Sequence, residues 1–154
     1  MRMNEHKSIN ESRERLEIEL GEQLNALISS AHALNVKAAA KFDSSIQPAA
    51  FHIVRWLYSY GATNAAALAE STAMDRSSVS RLIKQLQALG YVKREASPND
   101  GRGVVLSLTE YGQQKIIDAL KEKESVYYER LSDWKDAELH DFIQMLRHFN
   151  GFRC

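Results

Sequence analysis

The sequence predicts a mainly α-helical chain of the α+β class, with a helix-turn-helix and a two-stranded ribbon at its centre and long amphipathic helices at both ends. Three patterns carry this prediction. Val79, Leu82, Ile83, Leu86 and Leu89 step by 3, 1, 3 and 3, which is one face of a helix. Two runs of β-formers, Tyr91-Val92-Lys93-Arg94-Glu95 and Val104-Val105-Leu106-Ser107-Leu108, flank the turn residues Ala96-Ser97-Pro98-Asn99-Asp100-Gly101-Arg102-Gly103. Leu20, Leu24, Leu27, Ala31 and Leu34 step by 4, 3, 4 and 3, a heptad-like stripe laid down before any compact core has begun.

From the N-terminus, Met1 to about Ser8 is polar and expected to fray. A long helix then runs to about Phe42, with Leu16 and Ile28 widening its stripe. Gly21 inside it costs roughly 1 kcal/mol relative to alanine, which predicts a bend or a close contact there. Asp43-Ser44-Ser45-Ile46-Gln47 reads as a linker, and Pro48 suits the first turn of the next helix. That helix reaches about Tyr60 with Phe51, Val54, Leu57 and Tyr58 inward, and Gly61 stops it. Thr63 or Asn64 caps a short helix containing Leu68, Ala69 and Glu70, and Ser71-Thr72-Ala73-Met74 turns into the next one.

The helix beginning after Asp75 is the chemically informative one. Asp75 is a suitable N-cap and Gly90 a suitable stop. Its polar face carries Arg76, Ser77, Ser80, Arg81 and Lys84, with Ser78 beside them. Short hydroxyls and cations near the positive end of a helix suit phosphates and base edges, so this face is expected to read duplex DNA. The plainer reading is a solvated surface, but serines are mediocre helix formers, and three in the first turns are odd for solubility alone. Thr63 and Asn64, at a helix N-terminus, are candidates for phosphate contact. On the ribbon, Lys93 is expected to touch backbone, and Arg102 at the tip to enter a minor groove. Asn99 and Asp100 belong to the same tip; Asp100 suits pinning Arg102 better than touching phosphate.

Thr109 opens a helix running to roughly Leu131, with Ile116, Ile117, Leu120, Tyr127 and Leu131 on its stripe. Asp136 is expected to cap a last helix, ended by Gly151, in which Leu139, Phe142, Ile143, Leu146 and Phe149 form another apolar face.

In order along the chain stand Leu68-Ala69-Glu70, Ser77-Ser78-Val79-Ser80-Arg81-Leu82, Leu89-Gly90-Tyr91-Val92, Asp100-Gly101-Arg102 and Leu106-Ser107-Leu108-Thr109-Glu110-Tyr111-Gly112. This succession resembles the helix-turn-helix, wing and wing-to-helix junction of the MarR-type regulators, a winged-helix family. Many members have Asp-Arg-Arg in the wing; here Gly101 takes the middle place. The resemblance implies a winged helix-turn-helix core at residues 46–112, an N-terminal dimerisation helix at 1–45 and C-terminal dimerisation helices at 113–154. Leu20, Leu24, Leu27, Leu139, Phe142, Leu146 and Phe149 are the dimerisation candidates. Exposed stripes of this size aggregate unless buried, and a two-fold dimer places two recognition helices about one DNA turn apart, matching a pseudo-palindromic operator. The resemblance further implies a repressor released by a small aromatic or anionic effector. His32, His52, Arg55, Trp56, Tyr127 and Tyr128 are candidates to line its pocket, against the plainer reading of core aromatics and surface histidines.

Bulk properties set outer bounds. Of 154 residues, 44% are hydrophobic, enough for a core, and two prolines with seven glycines argue against disorder. Lys and Arg number 20 and Asp and Glu 20, so net charge says nothing about nucleic acid, but its distribution does. Residues 75–102 hold six cations (Arg76, Arg81, Lys84, Lys93, Arg94, Arg102) and three anions (Asp75, Glu95, Asp100), a net +3 that the remainder balances. No apolar N-terminal segment or bilayer-length stretch is present, so a cytoplasmic protein without membrane contact is expected. The single cysteine, Cys154, fits a reducing compartment. Thiol switching through Cys154 is an alternative reading, as is a winged helix that binds protein; a last residue is poorly placed to move a helix. Asp136, His140 and His148 can share one side of a helix, but without a further ligand they do not make a metal site. With no phosphate loop, nucleophile elbow or paired-carboxylate setting, neither an enzyme nor a cofactor is expected.

Overall fold

The computed structural model describes residues 2–98 and 103–151, with side chains from residue 12 onward. In chain order the elements are α1 (Arg2–Phe42), α2 (Pro48–Tyr60), α3 (Ala65–Thr72), α4 (Arg76–Ala88), β1 (Val92–Ala96), β2 (Val104–Leu108), α5 (Glu110–Leu131) and α6 (Asp136–Phe149). The chain divides into two compact units, Met1–Leu120 and Lys121–Cys154, with the boundary inside α5.

The first unit is organised around a core in which α2 supplies Phe51, Ile53, Val54 and Leu57, α4 supplies Val79, Leu82, Ile83 and Leu86, and α5 supplies Ile116, Ala119 and Leu120. Phe42 at the end of α1, Leu68 of α3 and Leu106 of β2 complete it. Apolar side chains are thereby removed from water on one face of each helix, at about 25 cal/mol per Å². No polar or charged residue among those described is buried. The ribbon pairs antiparallel in the register Val92↔Leu108, Arg94↔Leu106 and Ala96↔Val104. Thr63 adds a bridge on the other side: its N–H donates to Leu106 O at 3.0 Å and Leu106 N–H to Thr63 O at 2.7 Å. Thr63, two residues before α3, thus fixes the free edge of β2.

Helix ends follow local chemistry. Asn64, not Thr63, caps α3, accepting from Ala67 N–H at 2.8 Å. Ala73, at φ 53°, makes the turn to α4, and Gly90, at φ 80°, ends α4. The Thr109 hydroxyl accepts from Gly112 N–H at 2.9 Å and donates to Gly90 O at 2.5 Å, so one side chain both starts α5 and ties it to the end of α4. Gly112 is required by packing: a Cβ there would lie 2.2 Å from Tyr91 O.

Several expectations are corrected. The N-terminus is helical from Arg2, because its helix-forming residues carry no breaker and the hydrogen-bond ladder continues through them. A Cβ at Gly21 would meet nothing within 4 Å, so no close contact among the described residues explains that glycine. Leu89 follows the last helical residue of α4 and is 39% exposed; it is a cap, not part of the buried face. Tyr91 precedes β1 and belongs to the core. Lys135, not Asp136, is the N-cap of α6, because the Glu138 carboxylate reaches back to accept from Lys135 N–H at 2.8 Å.

In the second unit no residue of α6 is buried. Leu139 and Leu146 are half-buried, Phe142 and Ile143 are exposed, and Phe149 is 62% exposed. Trp134 packs edge-on against Phe142 at 5.5 Å. On α1, Leu20 and Leu27 are exposed and Leu24 is half-buried. No described helix is long and apolar enough to cross a membrane.

Candidate nucleic-acid interface

The polar face of α4 is presented because the opposite face is sealed into the core. Val79, Leu82, Ile83 and Leu86 are at most 3% exposed, which fixes the rotation of the helix and turns Arg76, Ser77, Ser80, Arg81 and Lys84 to solvent. Asp75 anchors the N-terminus. Its carboxylate accepts from Ser77 Oγ at 2.5 Å and Ser78 N–H at 2.8 Å. The Ser77 hydroxyl, with the Ser78 hydroxyl and N–H, holds the Asp75 carboxyl well below the usual carboxylate range. Ser77 and Ser78 are therefore occupied in shaping the helix start, whereas Arg76, Ser80, Arg81 and Lys84 have no partner among the described residues. Three cations and a hydroxyl are thus exposed along one face of α4, with Arg76 in the first turn behind the Asp75 cap.

A cleft of about 570 Å³ lies between α3 and α4, with Asn64, Glu70, Asp75 and Arg76 on its rim. Asn64 turns its side-chain oxygen to the helix start, so only its amide group remains to donate outward. Thr63 is half-buried in the bridge to Leu106, which holds it as part of the sheet.

On the ribbon, strand alternation separates two sets of side chains. Lys93 and Glu95 share one face and pair at 2.7 Å, so the Lys93 charge is largely compensated. Arg94, on the other face with Val92 and Leu106, is exposed and has no partner among the described residues. Arg94 was legible only through the period-2 pattern: as the residue two after a buried valine, it lies on the side that continues from the core. Asn99, Asp100 and Arg102, the expected wing tip, lie outside the described residues, as does Cys154.

Away from this face, a cavity of about 210 Å³ between α1 and α2 is lined by His32, Asn35, Val36, Ala39, Pro48, Phe51, His52 and Arg55. It gathers three of the six residues expected to hold an effector. Trp56 instead packs against the core and Tyr60, with ring centroids 5.0 Å apart. Tyr127 and Tyr128 belong to the second unit, where Lys123 lies 5.9 Å from the Tyr127 ring. Among the described residues no group of three or more His, Cys, Asp or Glu converges as metal ligands would.

Comparison with known proteins agrees with this arrangement. The sequence model of the MarR family matches residues 44–103. The chain is 25% identical over 118 residues to the uncharacterized HTH-type transcriptional regulator YxaD of Bacillus subtilis (strain 168), covering 77% of this chain and 82% of that protein. It is 28% identical over 115 residues to YdgJ of the same organism, also an uncharacterized HTH-type transcriptional regulator, covering 73% and 70%. Its fold superposes on the structure of a MarR family protein from Bacillus stearothermophilus with a TM-score of 0.66 at 20% identity, covering 88% of this chain and 95% of that one. The exposed basic face of α4, the ribbon beside it and these likenesses agree: over residues 44–103 the chain is similar to the MarR family, and its fold is the winged helix of a solved MarR family protein.

Proposed function

We propose that the chain is a cytoplasmic homodimeric repressor that binds a pseudo-palindromic operator and is released by a small aromatic or anionic effector. The observation that carries the reading is the contrast on α4 between a face sealed into the core and a face of unpartnered cations. Arg81 and Arg76 read base edges or grip phosphate, Ser80 contributes a smaller contact, and Lys84 binds backbone. Ser77 and Ser78 act mainly by shaping the helix start, and Asn64 donates to a phosphate. In the wing, Arg94 supplies the free cation that Lys93 does not, and Arg102 at the tip, braced by Asp100 and flanked by Asn99, enters the minor groove.

Dimerisation is supported by the unburied apolar residues of α1 and α6, including Leu20, Leu27, Phe142 and Phe149. Faces of this kind need a partner in water, and a second copy duplicates the recognition helix as a palindrome requires. The effector reading rests on the cavity that His32, His52 and Arg55 line together with Val36, Ala39 and Phe51, although the Arg55 guanidinium also donates to Ser59 Oγ at 2.6 Å. Such a site suits a small anion with an apolar body. No observation favours an enzyme, a thiol switch or a protein-docking winged helix over this reading.

The test is titration of duplex DNA, selected by the protein from a random pool, at several salt concentrations. Arg81→Ala is expected to cost about 1–3 kcal/mol on the selected duplex and to relax its preference. Arg94→Ala is expected to weaken all duplexes alike and flatten the salt dependence by about one ion. Unchanged affinity in both variants at low salt would remove the site assignment.

A further inference from the structure

We propose that the hydrogen bond between Asp43 and Tyr91 is a positioning contact that sets the angle of α4 against α1, so that sequence preference depends on it while general affinity for duplex DNA does not. The inference rests on the DNA-binding reading and deepens it by naming how the reading helix is held.

Asp43 breaks a local rule. It follows immediately after the last residue of a 41-residue helix, where the helix dipole disfavours an anion. A violated local preference calls for a compensating role, and the geometry supplies one. One carboxylate oxygen accepts from Ser45 N–H at 2.8 Å and Ser45 Oγ at 2.6 Å, turning the chain toward α2. The other accepts from the Tyr91 hydroxyl at 2.8 Å, across 48 residues of sequence. The Ser45 hydroxyl and N–H, then the Tyr91 hydroxyl, hold the Asp43 carboxyl below its usual range, so the acceptor stays ionised at neutral pH.

Tyr91 is where the reading apparatus converges. Its N–H donates to Leu86 O at 2.9 Å, tying it to the last turn of α4, and its carbonyl accepts from Thr109 N–H at 3.0 Å, tying it to the start of α5. Val92, the next residue, begins β1. The ring packs on Phe42 at 4.7 Å and stacks on Tyr111 at 5.4 Å. The Phe42 contact is apolar and tolerates sliding and rotation, because burial is non-directional. The hydroxyl–carboxylate bond is directional and charge-assisted. It is a directional contact able to fix how α4 and the ribbon are angled from the end of α1. A dimer that reads two half-sites about one turn apart needs that angle held, since a small tilt is magnified at the tips of both recognition helices. The cavity between α1 and α2 includes Ala39, whose carbonyl accepts from Asp43 N–H at 3.1 Å. A ligand seated there presses on the same turn of α1 that carries Asp43.

The experiment compares wild type, Tyr91→Phe, Asp43→Ala, the double variant and Ser45→Ala. For each, thermal stability is measured together with Kd for a duplex selected by the wild-type protein and for a scrambled duplex of equal length and salt. Tyr91→Phe removes one hydroxyl and keeps the ring. It and Asp43→Ala are each expected to raise Kd for the selected duplex about fivefold or more, to leave the scrambled duplex within about twofold, and to be non-additive when combined. Ser45→Ala, which relieves the turn but spares the Tyr91 bond, is expected to keep the preference. Equal weakening on both duplexes, additive effects, or an unchanged preference in Tyr91→Phe would overturn the proposal and leave the DNA-binding reading standing. A wild-type protein that selects no duplex would overturn both.

Discussion

Helices α4 and α6 are close in length and amphipathic in the same way, yet the chain treats them oppositely. In α4 the apolar stripe Val79, Leu82, Ile83 and Leu86 lies within the core, at most 3% exposed. In α6 the equivalent spacing of Leu139, Phe142, Ile143, Leu146 and Phe149 buries no residue, and Phe149 remains 62% exposed. The same pattern is thus satisfied fully inside the chain in α4 and only in part in α6. A buried stripe presents its opposite face for use, whereas an unburied stripe is itself the functional surface. On this view α4 serves DNA and α6 serves a second copy.

Substitution on the closed side has the largest expected effect. Gly112→Ala drives a Cβ into the Tyr91 carbonyl at the junction of α4, β1 and α5. It is expected to cost more than about 3 kcal/mol or to prevent folding, read from denaturant unfolding. Alanine at both helices sharpens the contrast. Leu86→Ala should lower folding stability by about 2–5 kcal/mol at every protein concentration. Phe149→Ala should instead weaken self-association, shifting the concentration at which the protein becomes a single chain. If both variants act alike, the division between a closed and an open helix is wrong.

The smallest effect concerns the cap that shapes the reading helix. Because hydrogen bonds from Ser77 and Ser78 depress the Asp75 carboxyl in the folded state below its ordinary 3.8, its contribution is fully present above the ordinary value. It is lost as pH falls through the depressed one. Asp75→Ser keeps a capping oxygen without a charge. Wild type should therefore lose more stability than this variant on acidification below about pH 4, with no such divergence between pH 5 and 8, as measured by thermal unfolding across pH.

Much of this was legible from spacing. The stripe of α4, the caps Asp75 and Thr109, the stop at Gly90 and the two strands follow from periodicity and turn chemistry alone. What was not legible depends on contacts between distant segments. The Thr63–Leu106 bridge leaves no local mark, because Thr63 pairs through its backbone. The bond from Asp43 to Tyr91 joins a residue read as linker to one read as strand, and only packing brings them together. The compensation of Lys93 by Glu95, and the freedom of Arg94, needed the register rather than the count of charges. The effector candidates separated for a similar reason: His32, His52 and Arg55 meet across two neighbouring helices, while Trp56 turns to the core and Tyr60.

The most direct test of the account is the mass of the particle formed in solution, measured by sedimentation with and without a duplex selected by the protein, in dilute buffer. Two chains are expected without DNA and two chains on one duplex, with binding that falls steeply as salt rises. A single chain that binds no duplex at low salt would contradict it.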